Sequence, residues 1–243
     1  MSTHRTTEEA KQQYVEVMGE KLGSLYHALW NELAWLYAKW GEYVEIFGTK
    51  PSRVELVNQA AGHFFRIVQD SLWEDSLLHI ARLTDSPKSL GKDNLTIRLL
   101  PNHIDDAGLK KRVTELIDVA INKADFCRDW RNRHIAHKDL RLAMQTGAEP
   151  LKAASRARVK EALSSISDVL NAVSNHYMDS TTMFEGVGNG NGAVSLLYVL
   201  DDGLRAEKEL QERQKVVITV LMIIKCAISN NRIGQTKLGS DLN

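Results

Sequence analysis

The chain has 243 residues, of which 43% are hydrophobic and 26% are charged, and its formal net charge is zero. These proportions are ordinary for a globular protein. The neutral balance excludes a global electrostatic field as the basis of nucleic-acid binding, so any such contact must come from a local basic patch.

Cysteine usage and the N-terminus indicate the compartment. Two cysteines, Cys127 and Cys226, are too few for a disulfide framework and indicate a reducing environment. Residues 1–5 are not followed by the apolar core of a signal peptide, and the chain contains no run of about 20 apolar residues. We therefore expect a cytoplasmic protein with no membrane segment and no membrane partner.

The first predicted element is a long helix. Four prolines and scattered glycines leave long uninterrupted stretches, which favours helices over a many-stranded fold. The hydroxyls and acids of residues 6–9 suit a helix start. Apolar residues then recur at three- and four-residue steps, as in one helical stripe: Tyr14, Val17, Met18, Leu22, Leu25, Leu29, Leu33, Leu36 and Trp40. Glycine and proline within residues 47–51 should end this helix.

A second long helix is predicted to follow. Ser52 is a candidate N-cap that forms a capping box with Glu55, and the helix should stop near residues 85–87. Four of its polar residues are three or four positions apart and could line one face: Asp75, His79, Arg82 and Asp85. This spacing favours a ladder of salt bridges with a satisfied histidine over a direct role in a site.

Shorter elements fill the middle of the chain. Residues 88–92 are predicted as a loop, and Asn94 as the cap of a short element that Pro101 closes. Asp105 or Asp106 should open a third helix, which either continues into residues 125–139 or bends just before them. After a loop at residues 145–150, a further helix is predicted over residues 155–177.

The C-terminal part carries a glycine-rich run, residues 185–192. It lacks the preceding strand and the Lys-Ser or Lys-Thr of a phosphate-binding loop, so we interpret it as a flexible linker. The apolar run at residues 216–228 is too short for a bilayer, and Lys225 interrupts it. We therefore predict a helical bundle over residues 1–180. Residues 181–243 would form a linker and a C-terminal helical extension that packs on the bundle or on a partner.

Residues 125–139 concentrate arginine, histidine and aspartate: Asp125, Arg128, Asp129, Arg131, Arg133, His134, His137 and Asp139. A core helix could not hold these charges unpaired. We interpret the segment as the functional site. The alternative is an intramolecular ion network in which the three aspartates pair with the arginines.

Arg131 and Asn132, followed after four residues by His137, resemble the signature of the HEPN superfamily, an arginine and a polar residue with a histidine four to six positions on. Residues 72–85 and 94–97 are similar to the abortive-infection AbiU-type branch, and the likeness covers residues 20–180. The resemblance implies an all-α, HEPN-like helical bundle with two long N-terminal helices and additional C-terminal helices, assembled as a homodimer.

The resemblance also implies a function: an endoribonuclease that needs neither metal nor cofactor and cleaves RNA across a dimer interface to leave a cyclic phosphate. On this view Arg131 binds and polarises the scissile phosphate, His137 is the general acid or base, and Asn132 has a positioning role. Further candidate phosphate ligands are Arg128, Arg133 and His134. The alternative is a non-catalytic HEPN module that binds nucleic acid, nucleotide or a protein partner, and a third is a structural dimer whose arginines only form ion pairs.

The residues themselves suit this chemistry. Metal-free RNA cleavage needs a base, an acid and a cation that holds the phosphate. Histidine titrates near pH 7, and arginine binds phosphate through two parallel hydrogen bonds. On a continuous helix Arg131 and His137 would point about 120° apart. Either the helix bends or ends near His134, or a second subunit supplies one partner, or Arg133 works with His137. We favour a bend plus a dimer, because the family supplies both.

Three further expectations concern metals, partners and cysteine. His134 and His137 are three residues apart, but the surrounding arginines repel a cation, so we predict no metal site. Some HEPN toxins carry a tyrosine two residues after the motif histidine, which a partner nucleotidyltransferase modifies, and here that position is Asp139. The resemblance leaves open a nucleotidyltransferase or an antitoxin partner, in phage defence or a toxin–antitoxin system. Cys127 should pack inward.

Overall fold

The structure, a computed structural model, describes residues 6–89, 91–186 and 191–238, and of residues 89 and 227–238 only the backbone. Over these ranges the chain forms eight α-helices, one 3-10 helix, one π-helix and a pair of two-residue strands. The predicted all-α class is confirmed. The linker prediction for residues 185–192 falls partly on residues 187–190, outside the described ranges.

The elements follow one another with short connections. The helices are α1 Thr7–Met18, α2 Glu20–Phe47, α3 Pro51–Leu83, α4 Ala107–Lys123, α5 Asp125–Trp130, α6 Leu140–Met144, α7 Arg156–Met178 and α8 Ala193–Leu238. The 3-10 helix is Ile97–His103 and the π-helix is Arg131–Ile135. Strands β1 Lys88–Ser89 and β2 Lys92–Asp93 pair antiparallel, so the predicted loop at residues 88–92 is a minimal hairpin.

The single N-terminal helix that the periodicity predicts is wrong, because the chain breaks at Gly19. This residue has a φ of 81°, a conformation that glycine adopts without a steric penalty. Helix α1 packs against α2, and at their closest approach a Cβ on Gly23 would lie 2.5 Å from the carbonyl oxygen of Tyr14. The predicted start is confirmed, since Thr6 and Glu9 form a capping box.

Two predicted caps are wrong. Helix α3 begins at Pro51 with Lys50 as its N-cap, not at Ser52, because proline lacks the N–H that a first helical residue leaves unbonded. The short element near Pro101 is the 3-10 helix, and Thr96 rather than Asn94 caps it. Of the two caps predicted for the third helix, Asp106 caps α4, and the helix predicted over residues 155–177 is α7, which Ser155 caps.

The core lies between α2, α3, α4 and α7, with α2 packed on α3 and α7, and α4 packed on α7. Helix α2 buries a stripe spaced by three and four residues: Leu22, Tyr26, Leu29, Leu33, Leu36, Trp40 and Tyr43. Helix α7 buries an apolar stripe of its own: Val159, Leu163, Ile166, Val169, Leu170 and Val173. This packing sets the C-terminal end of α3 beside α5, which carries the segment of interest.

Helix α8 leaves the bundle after its first turns. Ala193 and Leu197 are buried in a small second cluster with Ile46, Val57 and Phe65. All residues from 205 to 226 are exposed. Among the described residues, no helix has the combined length and apolar content that a bilayer crossing requires.

His79 of α3 is a buried histidine, with 1% of its surface exposed. Its Nε2 lies 2.7 Å from Oε2 of Glu32, but the two are poorly aligned, and neither ring nitrogen has a hydrogen-bond partner among the described residues. Burial, reinforced by the positive charges of Lys39 and Arg82, outweighs Glu32 and lowers the pKa of His79 from 6.5 to about 4.

We expect this histidine to make the protein acid-sensitive. Because its pKa is lower in the folded than in the unfolded chain, its contribution to stability is complete above pH 6.5 and is lost as the pH falls towards 4. The free energy of unfolding should fall by about 2 kcal/mol between pH 7 and pH 4.5 on this account. Urea unfolding at both pH values would show a smaller fall in the free energy of unfolding for His79→Gln than for the wild-type chain. His63→Gln, at an exposed position of the same helix, is the control. An equal fall in both variants would contradict the assignment.

Candidate functional site at the end of the π-helix

Residues 125–139 do not form one regular helix. Helix α4 ends at Lys123 and α5 begins at Asp125, after which the chain widens into the π-helix. There the N–H of Ala136 donates to the carbonyl oxygen of Arg131, five residues back, at 2.8 Å. Single π-turns of this kind often occur at functional sites. The π-helix ends at Ile135, close to the expected bend at His134, so His137 lies beyond the helix.

Arg131 contacts the C-terminal end of α3. Its Nη1 donates to Oδ2 of Asp85, and its Nε donates to Oδ1 of Asn132 at 3.0 Å. The side chains of Arg131 and Asp85 are 22% and 25% exposed, so the pair is only partly shielded from water. No described residue accepts a hydrogen bond from Nη2 of Arg131. Nε and Nη1 are therefore engaged, while the N–H donors of Nη2 remain for an anion.

The loop after α3 fixes Asp85 in turn. The buried hydroxyl of Thr96 lies 3.0 Å from the carbonyl oxygen of Leu83 and 2.9 Å from that of Asp85. The side-chain amide of Asn94 donates to the carbonyl oxygen of Ser86 at 2.9 Å. Residues 94–97 therefore hold the backbone that presents the carboxylate to Arg131.

Arg128 binds within the protein. It donates to Oγ1 of Thr84 at 3.1 Å and to the carbonyl oxygen of Ile121. Thr84 ends α3, where unpaired carbonyl groups attract cations. Arg128 therefore has a structural role in the described chain. Both of its terminal nitrogens are engaged by protein oxygens, so the structure gives no support to its prediction as a phosphate ligand.

Arg133 also binds within the protein. It donates to Oδ1 of Asp129 at 3.3 Å and to the carbonyl oxygens of Glu149 and Pro150, and its Nε lies 3.8 Å from Oδ2 of Asp139. The ion network considered from the sequence is thus present around Arg133. Arg131, in contrast, pairs with a carboxylate from a different helix.

His134 joins α3 to the π-helix. Its Nε2 lies 3.3 Å from Oε1 of Glu74, and its ring packs edge to face against Trp130 with centroids 5.4 Å apart. These contacts give His134 a positioning role. A phosphate would have to displace Glu74 to reach Nε2.

His137 differs from the other charged residues of the segment. It is exposed and makes no hydrogen bond or ion pair with any described residue. It stands in the turn before α6, whose cap is Asp139, with Oδ1 accepting from the N–H of Leu142 at 3.0 Å. Leu140 and Met144 of α6, which follow His137 in the chain, are 71% and 63% exposed.

The groups of the candidate site that the described chain leaves unengaged are Nη2 of Arg131, the exposed amide nitrogen of Asn132 and the exposed imidazole of His137. These side chains are exposed or partly exposed. A cavity of about 640 Å³ lies elsewhere, between α2, α7 and the start of α8, and none of the six predicted site residues lines it. An open surface suits a polymer with a phosphodiester backbone better than it suits a small ligand, which usually occupies a concave pocket.

Two other groups were considered from the sequence. Cys127 is fully buried, and burial raises the pKa of its thiol to about 12, so it remains protonated and cannot act as a nucleophile at neutral pH. No group of three or more His, Cys, Asp or Glu in the described ranges could hold a metal ion.

Sequence analysis did not assign Asp85 or Glu74 to the site. Asp85 was interpreted as one rung of a ladder along α3, but it lies beyond the last helical residue and pairs across to Arg131. Its position at the predicted end of α3 could have indicated this pairing, because the side chains at the end of a helix are open to contact with a neighbouring element.

Comparison with known proteins is consistent with the resemblance found in the sequence. Residues 19–191 match the HEPN_AbiU2 family model, which is described as AbiU2. The matched region contains the Arg131–His137 motif and Asp85 with its supporting loop, and it ends before α8. Searches of curated proteins and of solved structures found no match.

The ion pair between Arg131 and Asp85 should stabilise the fold measurably. We expect Asp85→Asn to lower the free energy of unfolding by about 1–2 kcal/mol, because it leaves a partly covered guanidinium without its countercharge. In a double-mutant cycle with Arg131→Gln, measured by urea unfolding, the coupling energy should be about 1 kcal/mol.

The matched control is Asp70→Asn, which removes the partner of Arg66 on the exposed face of α3 and should cost less than about 0.5 kcal/mol. Strict additivity of Asp85→Asn and Arg131→Gln would show that the pair does not link the two elements.

Proposed function

The chain belongs to the AbiU2 family of HEPN domains, and on this premise we propose that it is a metal-independent endoribonuclease. We further propose that it acts in the cytoplasm, in abortive infection or as the toxin of a toxin–antitoxin system. One observation carries the proposal. Arg131, the first residue of the π-helix, keeps the N–H donors of Nη2 available, and just beyond the end of this helix His137 is exposed with no partner among the described residues.

The proposed reaction is an internal transesterification. The 2′-oxygen of the RNA attacks the neighbouring phosphorus while the bond to the 5′-oxygen breaks, which leaves a cyclic phosphate and a 5′-hydroxyl. Arg131 binds the non-bridging phosphate oxygens, whose negative charge grows in the transition state. His137 removes the proton from the 2′-hydroxyl or donates one to the leaving oxygen, and Asn132 orients the phosphate.

A second copy of the chain would complete this mechanism. One imidazole cannot serve as base and acid in the same step, so the second role falls to His137 of another protomer. The exposed Leu140 and Met144 support association at this surface, because they place apolar area next to His137. We therefore propose that the enzyme is active as a homodimer with RNA bound across the two copies.

Asp85 has a positioning role in this proposal. It holds the guanidinium of Arg131 in one orientation, so that a phosphate meets preorganised donors. It also offsets the charge of Arg131, and an incoming phosphate has to share the guanidinium with the carboxylate. Asp85 should therefore improve the orientation of the Arg131 guanidinium towards the phosphate, and it should weaken the binding of that phosphate.

The second candidate function is a HEPN module that binds nucleic acid, nucleotide or a protein partner without cleavage. The observation that favours it is the pairing of the arginines: Arg128 and Arg133 are bound to protein acceptors, and Arg131 already has a countercharge. Such a module could work with an antitoxin. A nucleotidyltransferase partner has less support, because the place of the modified tyrosine is taken by Asp139, which caps α6.

RNA cleavage in the presence of a chelator tests the proposal. We expect Arg131→Ala and His137→Ala each to lower the initial cleavage rate about 100-fold or more, because each removes a group that acts on the transition state. Lys138→Ala, an exposed neighbour, should leave the rate within about twofold, and 5′-hydroxyl product ends should accumulate with the wild-type chain.

Arg133→Ala separates the two possible phosphate ligands. Because Arg133 holds residues 149–150, its loss should reduce stability while the cleavage rate stays within about tenfold of wild type. RNA retention without cleavage would support the non-catalytic module. Cleavage that requires a metal ion, or that survives loss of His137, would overturn the proposed mechanism.

A further inference from the structure

The outer part of α8 exposes apolar side chains on every side. Eight of the nine residues from 216 to 224 are large and hydrophobic, and they are 48–64% exposed: Val216, Val217, Ile218, Val220, Leu221, Met222, Ile223 and Ile224. A helix that is hydrophobic all round is normally buried. In the described chain neither the bundle nor any other element covers this one, and it does not meet the requirements of a membrane-crossing helix.

The sequence of α8 contains a seven-residue repeat. One set of positions recurs every seven residues: Leu196, Gly203, Leu210, Val217 and Ile224. A second set lies three residues after the first four of these: Val199, Ala206, Arg213 and Val220. We call these nine residues the α8 seam. Only Arg213 among them is charged. A stripe with this spacing is the pattern by which helices pair with one another in coiled coils.

The seam is free along the helix. The bundle contacts α8 through Ala193, Leu197 and Leu200, which lie on a different face from the seam. Leu196 and Val199, the first seam residues, are 41% and 68% exposed. The contact that anchors α8 to the bundle therefore leaves the whole stripe available to another helix.

We propose that α8 pairs through its seam with α8 of a second copy of this chain. The charge distribution suits a self-complementary contact: residues 201–215 contain five acidic and four basic side chains, so two copies do not repel each other and no strongly charged partner is selected. The flanks of the seam, Val216, Leu221 and Ile223, extend the apolar contact on both sides.

The available area agrees with a helical pair. The eight exposed side chains of residues 216–224 present roughly 800 Å² of apolar surface around the helix, more than the largest patch of a typical monomer. A stable interface buries about 800 Å² on each partner. A helical pair covers only the seam and its flanks, so part of the outer run stays exposed, and the seam residues from Val199 to Leu210 supply further area on the same stripe. Two copies of α8 therefore offer enough surface.

Molar mass in solution tests the proposal, measured for the full chain by light scattering after size exclusion. The seam variant carries Val217→Glu and Ile224→Glu, and the matched control carries Ile218→Glu and Met222→Glu on the outer face of the same turns. Both pairs add two charges and remove two large apolar groups, and glutamate is a good helix former. We expect the seam variant to lose one association step, so that its mass falls twofold at micromolar concentration, while the control keeps the wild-type mass.

Several outcomes would overturn the proposal: a monomeric wild type, a seam variant with unchanged mass, or an equal loss of mass in both variants. Far-ultraviolet circular dichroism of each variant checks that the helix content is retained. The inference does not depend on ribonuclease activity. Arg131→Ala should leave this mass change unaltered, so loss of cleavage and loss of α8 pairing are observed separately.

Discussion

The ion pair between Arg131 and Asp85 is the interaction on which the arrangement of the candidate site depends. It joins the last residues of α3 to the first residue of the π-helix, two parts of the chain separated by 46 positions. Arg128 strengthens the same junction through Thr84, and His134 adds Glu74. In each contact the arginine or histidine lies on α5 or the π-helix, and its partner lies on α3 or in the two residues that follow it. The charged segment is therefore held against the bundle, and its outer edge faces solvent.

This junction explains why stretches far apart in the sequence carry the family resemblance together. Residues 72–85 supply Glu74 and Asp85, and residues 94–97 hold the backbone of Asp85 through Thr96. Residues 125–139 supply the cations. Loss of Asp85, or of the Thr96 contacts that hold its backbone, would release Arg131 from its fixed orientation. The resemblance thus covers one physical unit, in which most of the charged residues hold the three stretches together and few keep donors available for a ligand.

Much of the fold could be predicted because it depends on local chemistry. Apolar spacing indicates α2 and α7, and side-chain caps at Thr6, Asp106 and Ser155 mark where helices begin. The break at Gly19 could not be predicted, because the apolar stripe continues across it with unchanged spacing. Pro51 competes with Ser52 for the start of α3, and a rigid φ prevails over a side-chain hydrogen bond. Within the site, the helix end near His134 was predicted, but the pairing of Arg131 with Asp85 depends on contact between helices, which spacing within one helix does not reveal.

The π-helix has a consequence for how the site tolerates insertions and deletions. Its widened turn accommodates one residue more than an α-helical turn, and His137 follows directly after it. Loss of a single residue between Asn132 and Ile135 would let the turn relax to regular α-helical geometry, and the widened turn would absorb the rotation of about 100° that such a deletion imposes on an ordinary helix. The residues beyond the turn would then keep nearly their original direction, and α3, α4 and α7 would keep their packing. This turn is therefore a place where the chain can lose one residue without rebuilding the elements around the site.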